Sequence, residues 1–481
     1  MHGIRQAIDE TKTYSDASTL TFASFADTTQ LTATVTDANG KTVSGATVTW
    51  ATSDATVATV SSTGLVTSVA IGTATITATS GSANTTATAV VTCSTDTDSD
   101  RLYDCVETNT GTYVNTSDTG TDPNDSDSDD DSIDDGDEVL GTSGGLDLPG
   151  LGADPNKPTI LVEYNWFDDD IGGSSHSHRP TAQMMDSLSA VFGREGIQLI
   201  NDYGQGSAPF DGGNLISDAD GDVLDQISGM GAEFYAYKAA NFASNRNGYF
   251  HYAMHPHSYN GGTVSGMAVR PGNDFLIASR YHHDDYQWVA GTIMHELGHN
   301  LGLQHGGNEK QRYKPNYNSV MNYQYQKSGV DNNCTIPGNG VLAYSHGTRP
   351  SLDENALVEK DGICGSKVQG TDWNDDGDFD DVLAMNIDGR WKERSGSTLC
   401  QDAGKECVLN VEKIYNSDLT VLTDHNDWDA LVFSGILTSA DLSMISEVIV
   451  EDDAEDVIRE PSDPIDPLAP TQIPTRRPGN K

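Results

Sequence analysis

Basic residues are scarce in this chain. It carries 27 Lys and Arg against 72 Asp and Glu, a net charge of −45 over 481 residues. Nucleic acid and anionic membrane are therefore poor partners, since both would be repelled. Long apolar runs are missing as well. No stretch of about twenty apolar residues occurs, so no membrane-spanning helix is expected. Met1–Asp16 is polar and lacks the apolar core of a signal peptide, so either a signal has been removed or the sequence is a fragment. The six cysteines include no CxxC pair, which sets aside the common thiolate zinc pattern. Six cysteines are compatible with three disulfides, in fifteen pairings. Proximity favours Cys93 with Cys105, Cys334 with Cys364 and Cys400 with Cys407. Paired cysteines fit an extracellular setting. The length suits two to four domains.

What is present centres on His295-Glu296-Leu297-Gly298-His299-Asn300-Leu301-Gly302-Leu303-Gln304-His305, which reads HExxHxxGxxH. On a helix, His295 and His299 are one turn apart and share a face, so both imidazoles can grip one zinc ion. Glu296 points off that face, badly placed to ligate and well placed to reach a water at the metal. Gly302 can take positive φ and turn the chain out of the helix, bringing His305 round as third ligand. Three protein ligands leave one position open, the mark of a catalytic zinc. The pattern fixes five positions, which ordinary residue frequencies rarely match by chance. Ser319-Val320-Met321-Asn322-Tyr323 follows, with Met321 sixteen residues after His305.

Together these two elements resemble the metzincin metalloproteases, whose zinc motif is followed by a methionine-containing turn. The resemblance implies that Met321 lies beneath the zinc, and that Tyr323 reaches the metal as a tyrosine does in some members. It covers roughly residues 155 to 440 and is specific at the zinc helix and Met-turn. On the residues alone, Met321 and Tyr323 also fit core packing.

Residues 17–92 are rich in Thr, Ala and Val and nearly free of charge. They alternate as half-buried strands do, in Leu31-Thr-Ala33-Thr-Val35, Val48-Thr-Trp50 and Ala74-Thr-Ile76-Thr-Ala78. Asn39-Gly40, Ser44-Gly45, Thr63-Gly64 and Ile71-Gly72 break the runs, which predicts a β-sandwich. Val48-Thr49-Trp50, Ser53-Asp54, Val57–Val60, Gly64-Leu65-Val66 and Gly72–Ile76 resemble the bacterial group 2 immunoglobulin-like domains. Such domains are mostly spacers or adhesion modules, which implies cell-surface or matrix ligands. Trp50 is expected in the core.

Residues 93–140 hold sixteen acidic residues and one basic residue, Arg101. A solvated linker would look similar. The spacing points elsewhere: Asp96, Asp98, Asp100, Asp104 and Glu107 fall at positions 1, 3, 5, 9 and 12 of a calcium loop, as do Asp127, Asp129, Asp131, Asp135 and Glu138. With Asp122-Pro123 ahead of the second loop, the run resembles thrombospondin type 3 calcium repeats. Arg101 and Ser132 stand where the loop's glycine is expected. A third loop is read at Asp372, Asn374, Asp376, Asp378 and Asp380, with Gly377 at position 6. Asp218, Asp220 and Asp222 form a weaker cluster, of a kind usually found in turns.

Residues 141–156 read as a Gly- and Pro-bearing linker, and 157–440 as the metalloprotease domain. Its expected elements are a buried strand at Thr159–Tyr164, a helix from Pro180 to about Phe192, and strands at Ile197–Ile200, Tyr249–Met254, Gly266–Val269 and Phe275–Ala278. The zinc helix should run from about Gln287 to Leu301 under an Asp284 or Asp285 cap, with Ile293, Leu297 and Leu301 toward the core. His176, His178, His251, His255, His257, His282 and His283 are further metal candidates, each more simply read as a hydrogen-bonded or surface histidine. Residues 441–481 read as an acidic, then Pro-rich tail.

The expectation is a multidomain chain: a polar segment (1–16), an all-β immunoglobulin-like sandwich, a calcium-loop spacer, and an α+β metzincin-like catalytic domain. The last would have a twisted mixed sheet, the zinc helix and a small irregular C-terminal lobe. The expected activity is that of a secreted or surface zinc endopeptidase, monomeric, with catalytic zinc, structural calcium and a protein or peptide substrate. Glu296 would be its general base and Tyr323 its oxyanion donor. The alternatives are a non-enzymatic calcium-dependent surface adhesin with a structural zinc, and zinc hydrolysis of a non-peptide substrate.

Overall fold

The computed structural model describes residues 6–8, 19–37, 39–169, 175–217, 223–224, 231–259, 264–334, 338–365, 370–374, 377–388, 391–393, 409–411, 418–433 and 447–452. Two compact units divide the chain, Met1–Lys157 and Pro158–Lys481.

Besides Gln6–Ile8, which pairs with Val35–Asp37, the first unit begins with seven strands: β1 (Thr19–Phe22), β2 (Thr28–Gln30), β3 (Thr49–Thr52), β4 (Ala58–Val60), β5 (Leu65–Ser68), β6 (Gly72–Ser80) and β7 (Ala83–Val91). They form a four-stranded sheet, β1-β7-β6-β3, and a three-stranded sheet, β2-β5-β4. Every second residue of β6 and β7 turns inward, so Ala74, Ile76, Ala87, Ala89 and Val91 meet Leu20, Phe22, Leu31 and Val66 between the sheets. Trp50 is half-buried at the edge of that cluster, less deep than its size predicts. Leu31 and Val35 are buried as the alternation requires, yet residues 31–34 form no strand.

The acidic run is folded rather than solvated. Leu102, Val106 and Val139 make a small apolar cluster under it, with Phe25 and Cys105 against it. Cys93 and Cys105 are disulfide-bonded, as are Cys334 and Cys364; Cys400 and Cys407 lie outside the described residues. The short helix α1 (Asp135–Leu140) ends the run. Residues 141–156, expected as a linker, are packed: Leu146, Leu148 and Leu151 are buried, and the Asn156 amide donates to the Thr119 carbonyl at 2.9 Å. Those leucines, spaced for one turn of helix at Leu148–Leu151, outweigh the Gly and Pro signals.

The second unit is built on β8 (Thr159–Trp166), helix α2 (Ala182–Arg194), β9 (Gln198–Asp202), helix α3 (Ala232–Asn241), β10 (Phe250–His255), β11 (Val264–Arg270), β12 (Asp274–Ile277), helix α4 (Tyr286–Asn300) and β13 (Glu447–Asp452). One mixed sheet has the order β9-β8-β10-β12-β11-β13. β8, β9, β10 and β12 are parallel, and β11 and β13 are antiparallel to their neighbours. Every residue of β8, β10 and β12 is buried, as in a sheet covered on both faces. The unpaired edge of β11 is taken by β13, so residues 447–452 belong to the sheet and the tail begins later than 441. The pairing was illegible because six residues cannot declare a partner nearly two hundred positions away.

Buried in the sheet's end, Arg246 joins Glu163 at 2.9 Å and Asp202 at 2.7 Å. A second, smaller core holds Leu352, Leu357, Ile363, Trp373, Ile387 and Leu422, with the Cys334–Cys364 bridge beside it. Its paired strands are two-residue pieces such as Leu352–Asp353 with Val421–Leu422. The first unit thus opens with a β domain, and the second is mixed α/β. Among the described residues, no helix is long and apolar enough to cross a membrane.

Candidate metal centres

Helix α4 starts where its cap dictates: the Asp285 carboxylate accepts from the Trp288 amide at 3.1 Å. From Trp288 to Asn300 it is buried on every side, including His295, Glu296 and His299. Its histidine face therefore looks into the interior of the unit, not across an open surface. The helix packs on β11 and β12. Asn300 pins its end by donating to the carbonyls of Val269 (2.8 Å) and Asp274 (3.0 Å) and bonding His251 Nδ1 at 3.1 Å.

The chain leaves α4 through Gly302, at φ +96°. The Gly302 amide donates to the His299 carbonyl, and the Leu303 amide to the Gly298 carbonyl, both at 2.9 Å. This is the Schellman closure, which needs a left-handed residue at that position. It carries His305 back beside the helix. His295 Nδ1 bonds the Val320 carbonyl at 2.7 Å, and His299 Nδ1 bonds the Leu303 carbonyl at 2.8 Å. Both Nδ1 atoms being engaged, the Nε2 atoms are aimed at each other, 3.1 Å apart. The ligand nitrogens of His295, His299 and His305 all lie within 4.8 Å of one another. Three converging imidazoles, two of them with the far nitrogen held by a carbonyl, make a donor set that fits zinc.

Glu296 lies beside that set, not within it. Its Oε1 fills the space over Gly266 of β11, where a Cβ would come within 2.0 Å of it. Met321 is fully buried, and its Sδ lies against Gly298, where a Cβ would come within 2.4 Å. The Ser319–Tyr323 turn is tight, closed by the Asn322 amide to the Ser319 carbonyl at 3.0 Å. The Tyr323 ring sits 4.5 Å from His305 and 5.8 Å from His295, centroid to centroid.

Four contributors escaped sequence reasoning. Val320 and Leu303 act through backbone carbonyls, which carry no residue signature. Lys314, fully buried, donates to the Gly306 and Thr423 carbonyls at 2.8 Å each and so holds the loop after His305. Arg312 places its guanidinium 5.5 Å from the Tyr323 ring.

The acidic loops repeat one geometry twice. Asp96 accepts from the Ser99 and Arg101 amides, and Asp127 from the Asp131 and Ser132 amides. Asp104 holds the Thr97 amide and hydroxyl; Asp135 holds those of Ser128. Arg101 (φ +88°) and Ser132 (φ +72°) adopt the left-handed backbone although neither is glycine. The loop thus pays for the missing glycine in local strain.

Asp96, Asp98 and Asp100 converge, and so do Asp127, Asp129 and Asp131. Asp135 crosses over: it groups with Asp100 and Glu107 of the first loop. It still holds Ser128 of its own loop, and it reaches the first because the two pack so closely that a Cβ on Gly136 would meet the Asp100 carbonyl at 1.9 Å. Buried oxygens of Asp98, Asp100, Glu107, Asp129 and Glu138 have no hydrogen-bond partner. Burial, reinforced by neighbouring carboxylates, pushes Glu138 up to about 10 and Glu107 and Asp129 to about 8. Crowded, dry carboxylate oxygens are the donor set of a hard cation such as calcium.

In the third loop, Asp372 is buried and accepts from the Gly377 amide at 2.9 Å, with Gly377 at φ +95°. Asn374, Asp378 and Asp380 are exposed, and the Asn374 amide is turned to Asp381 at 2.8 Å. Asp376 and the Asp218–Asp222 cluster lie outside the described residues.

Residues 15–91 match the family model for the bacterial Ig-like domain (group 2). The chain opens with such a domain. Solved structures similar to it include domains 4 and 5 of the S-layer protein SbsC, at 22% identity and a TM-score of 0.15, covering 18% of this chain and 53% of that one. A GH10 xylanase from termite gut that contains a bacterial Ig-like domain matches at 21% identity and a TM-score of 0.12, covering 17% of this chain and 20% of that one. This chain thus spans about half or less of the proteins it matches, and the Ig-like domain accounts for less than a fifth of its own length.

Proposed function

We propose that this protein is a secreted or surface-exposed zinc endopeptidase of metzincin type, with an N-terminal Ig-like domain and calcium-stiffened acidic repeats. The observation that carries the reading is the convergence of the His295, His299 and His305 nitrogens beside the buried Glu296, with Met321 and Tyr323 packed against them. Zinc held by the three histidines would supply a Lewis acid for the scissile carbonyl and lower the pKa of water toward 7. Glu296 takes the proton of the attacking water and passes it to the leaving amine. Tyr323 hydrogen-bonds the developing oxyanion. Val320 and Leu303, by accepting from His295 and His299, hold both rings in one tautomer. Protein or peptide is the substrate class, and the protein acts as a monomer.

Metal analysis with a casein digest tests this reading. One equivalent of zinc assigned to His295, His299 and His305 should accompany digestion, and a zinc-selective chelator should abolish it. Zinc without any hydrolysis of casein or a peptide library would overturn the protease. Tyr323→Phe should lower kcat by roughly ten- to a thousandfold with little change in KM. An unchanged kcat would leave Tyr323 as packing.

The Ig-like domain favours a second reading, a calcium-dependent surface adhesin whose zinc is structural, with cell-surface or matrix ligands. Glu296 separates the two, because a structural zinc has no use for a buried carboxylate beside it.

A further inference from the structure

We propose that His176, His178 and His257 form a second zinc site, separate from the candidate centre on α4. Three chain segments build it. β8 and β10 are parallel neighbours, Trp166 beside His255, so both leave the sheet at the same end. After β8 the chain forms a short antiparallel ribbon, Asp168–Asp169 against His176–Ser177. In extended backbone, alternate side chains share a face, which turns His176 and His178 the same way. His257 follows β10 by two residues and meets them.

The ring centroids lie 5.0 Å apart for His176–His178, 5.7 Å for His176–His257 and 5.3 Å for His178–His257. One ligand nitrogen from each falls within 4.8 Å of the others. His178 and His257 are buried and His176 is half-buried. His178 Nδ1 bonds the Ser279 hydroxyl at 2.8 Å, which directs its Nε2 into the group, as the outer hydrogen bond of a zinc-bound imidazole does.

His251, His282 and His283 are differently employed, and His255 lies edge-on to Tyr164 at 5.7 Å. His283 stacks on His176 at 4.1 Å and engages the Arg280 carbonyl and the Asp284 carboxylate, so it walls the site. His251 is tied to Asn300, and His282 stacks on Trp288. Imidazole nitrogens without thiolates select zinc over calcium. Its three ligands come from the ribbon after β8 and the exit of β10, with the wall just ahead of α4, so the metal would clip segments that no described disulfide joins.

The test reads bound metal, not activity. The full chain is loaded with zinc, dialysed in calcium buffer and analysed for metal. The wild type should hold two zinc ions, His295→Ala/His299→Ala one, and His178→Ala/His257→Ala one. Zinc left in the His295→Ala/His299→Ala protein should show nitrogen neighbours at roughly 2.0–2.1 Å by X-ray absorption. If His178→Ala/His257→Ala does not fold, His176→Gln added to His295→Ala/His299→Ala should remove the remaining zinc. A single zinc in the wild type, lost with His295 and His299, would overturn this site and leave the endopeptidase reading standing. A single zinc lost with His178 and His257 would do the reverse.

Discussion

Glu296→Ala should lower peptidase turnover by about 10²- to 10⁴-fold, the range expected when a general base is removed, while zinc content stays unchanged. The proposed ligands are His295, His299 and His305, and the substitution touches none of them. The carboxylate is fully buried and pressed against Gly266, so replacing it removes a desolvated acid and leaves a small cavity. Melting temperature should therefore change little. The measurement pairs peptide kinetics with zinc analysis on the same preparation. A variant that keeps zinc and more than a few per cent of activity would mean that another group takes the proton. A variant that loses both zinc and fold would mean that Glu296 holds the helix in place.

Removing calcium should open the acidic repeats to proteolysis between Cys93 and Lys157. The unpartnered oxygens of Asp98, Asp100, Glu107, Asp129 and Glu138 are packed against other carboxylates, and a divalent cation offsets that repulsion. Among the described residues, the buried apolar cluster beneath the run is Leu102, Val106 and Val139, with Ile133 also buried, too little to hold it against sixteen acidic residues. A calcium-selective chelator should expose new cleavage sites there without emptying the zinc centre, and a zinc-selective one should do the opposite. Asp129→Asn/Glu138→Gln should weaken calcium dependence, because it lowers the charge to be neutralised and the calcium held. Limited proteolysis with intact mass reads each case. Resistance of residues 93–157 unchanged by calcium removal would reduce the spacing to mere acidity.

Local pattern alone determined the helix that carries His295 and His299, a cap at Asp284 or Asp285, the Gly302 turn, the Met321 turn, the buried strands and the alternating Ig-like strands; the structure chose Asp285. Each depends on residues close in the chain, whose side-chain period or special backbone conformation is written in consecutive positions. Cys93–Cys105 and Cys334–Cys364 were legible for the same reason of proximity. Tertiary structure decided what distant residues do to one another. Asp135 joined Asp100 and Glu107 because two loops pack back to back, and β13 joined β11 because a sheet edge was open. Leu146, Leu148 and Leu151 turned an apparent linker into packed chain. His176 and His178 met His257 because β8 and β10 run parallel and end together. His251, from the same pool of histidines, fell to Asn300 instead. A histidine's sequence neighbours do not say which partner its ring will meet; that is settled only when strands 89 residues apart, Trp166 beside His255, are laid side by side.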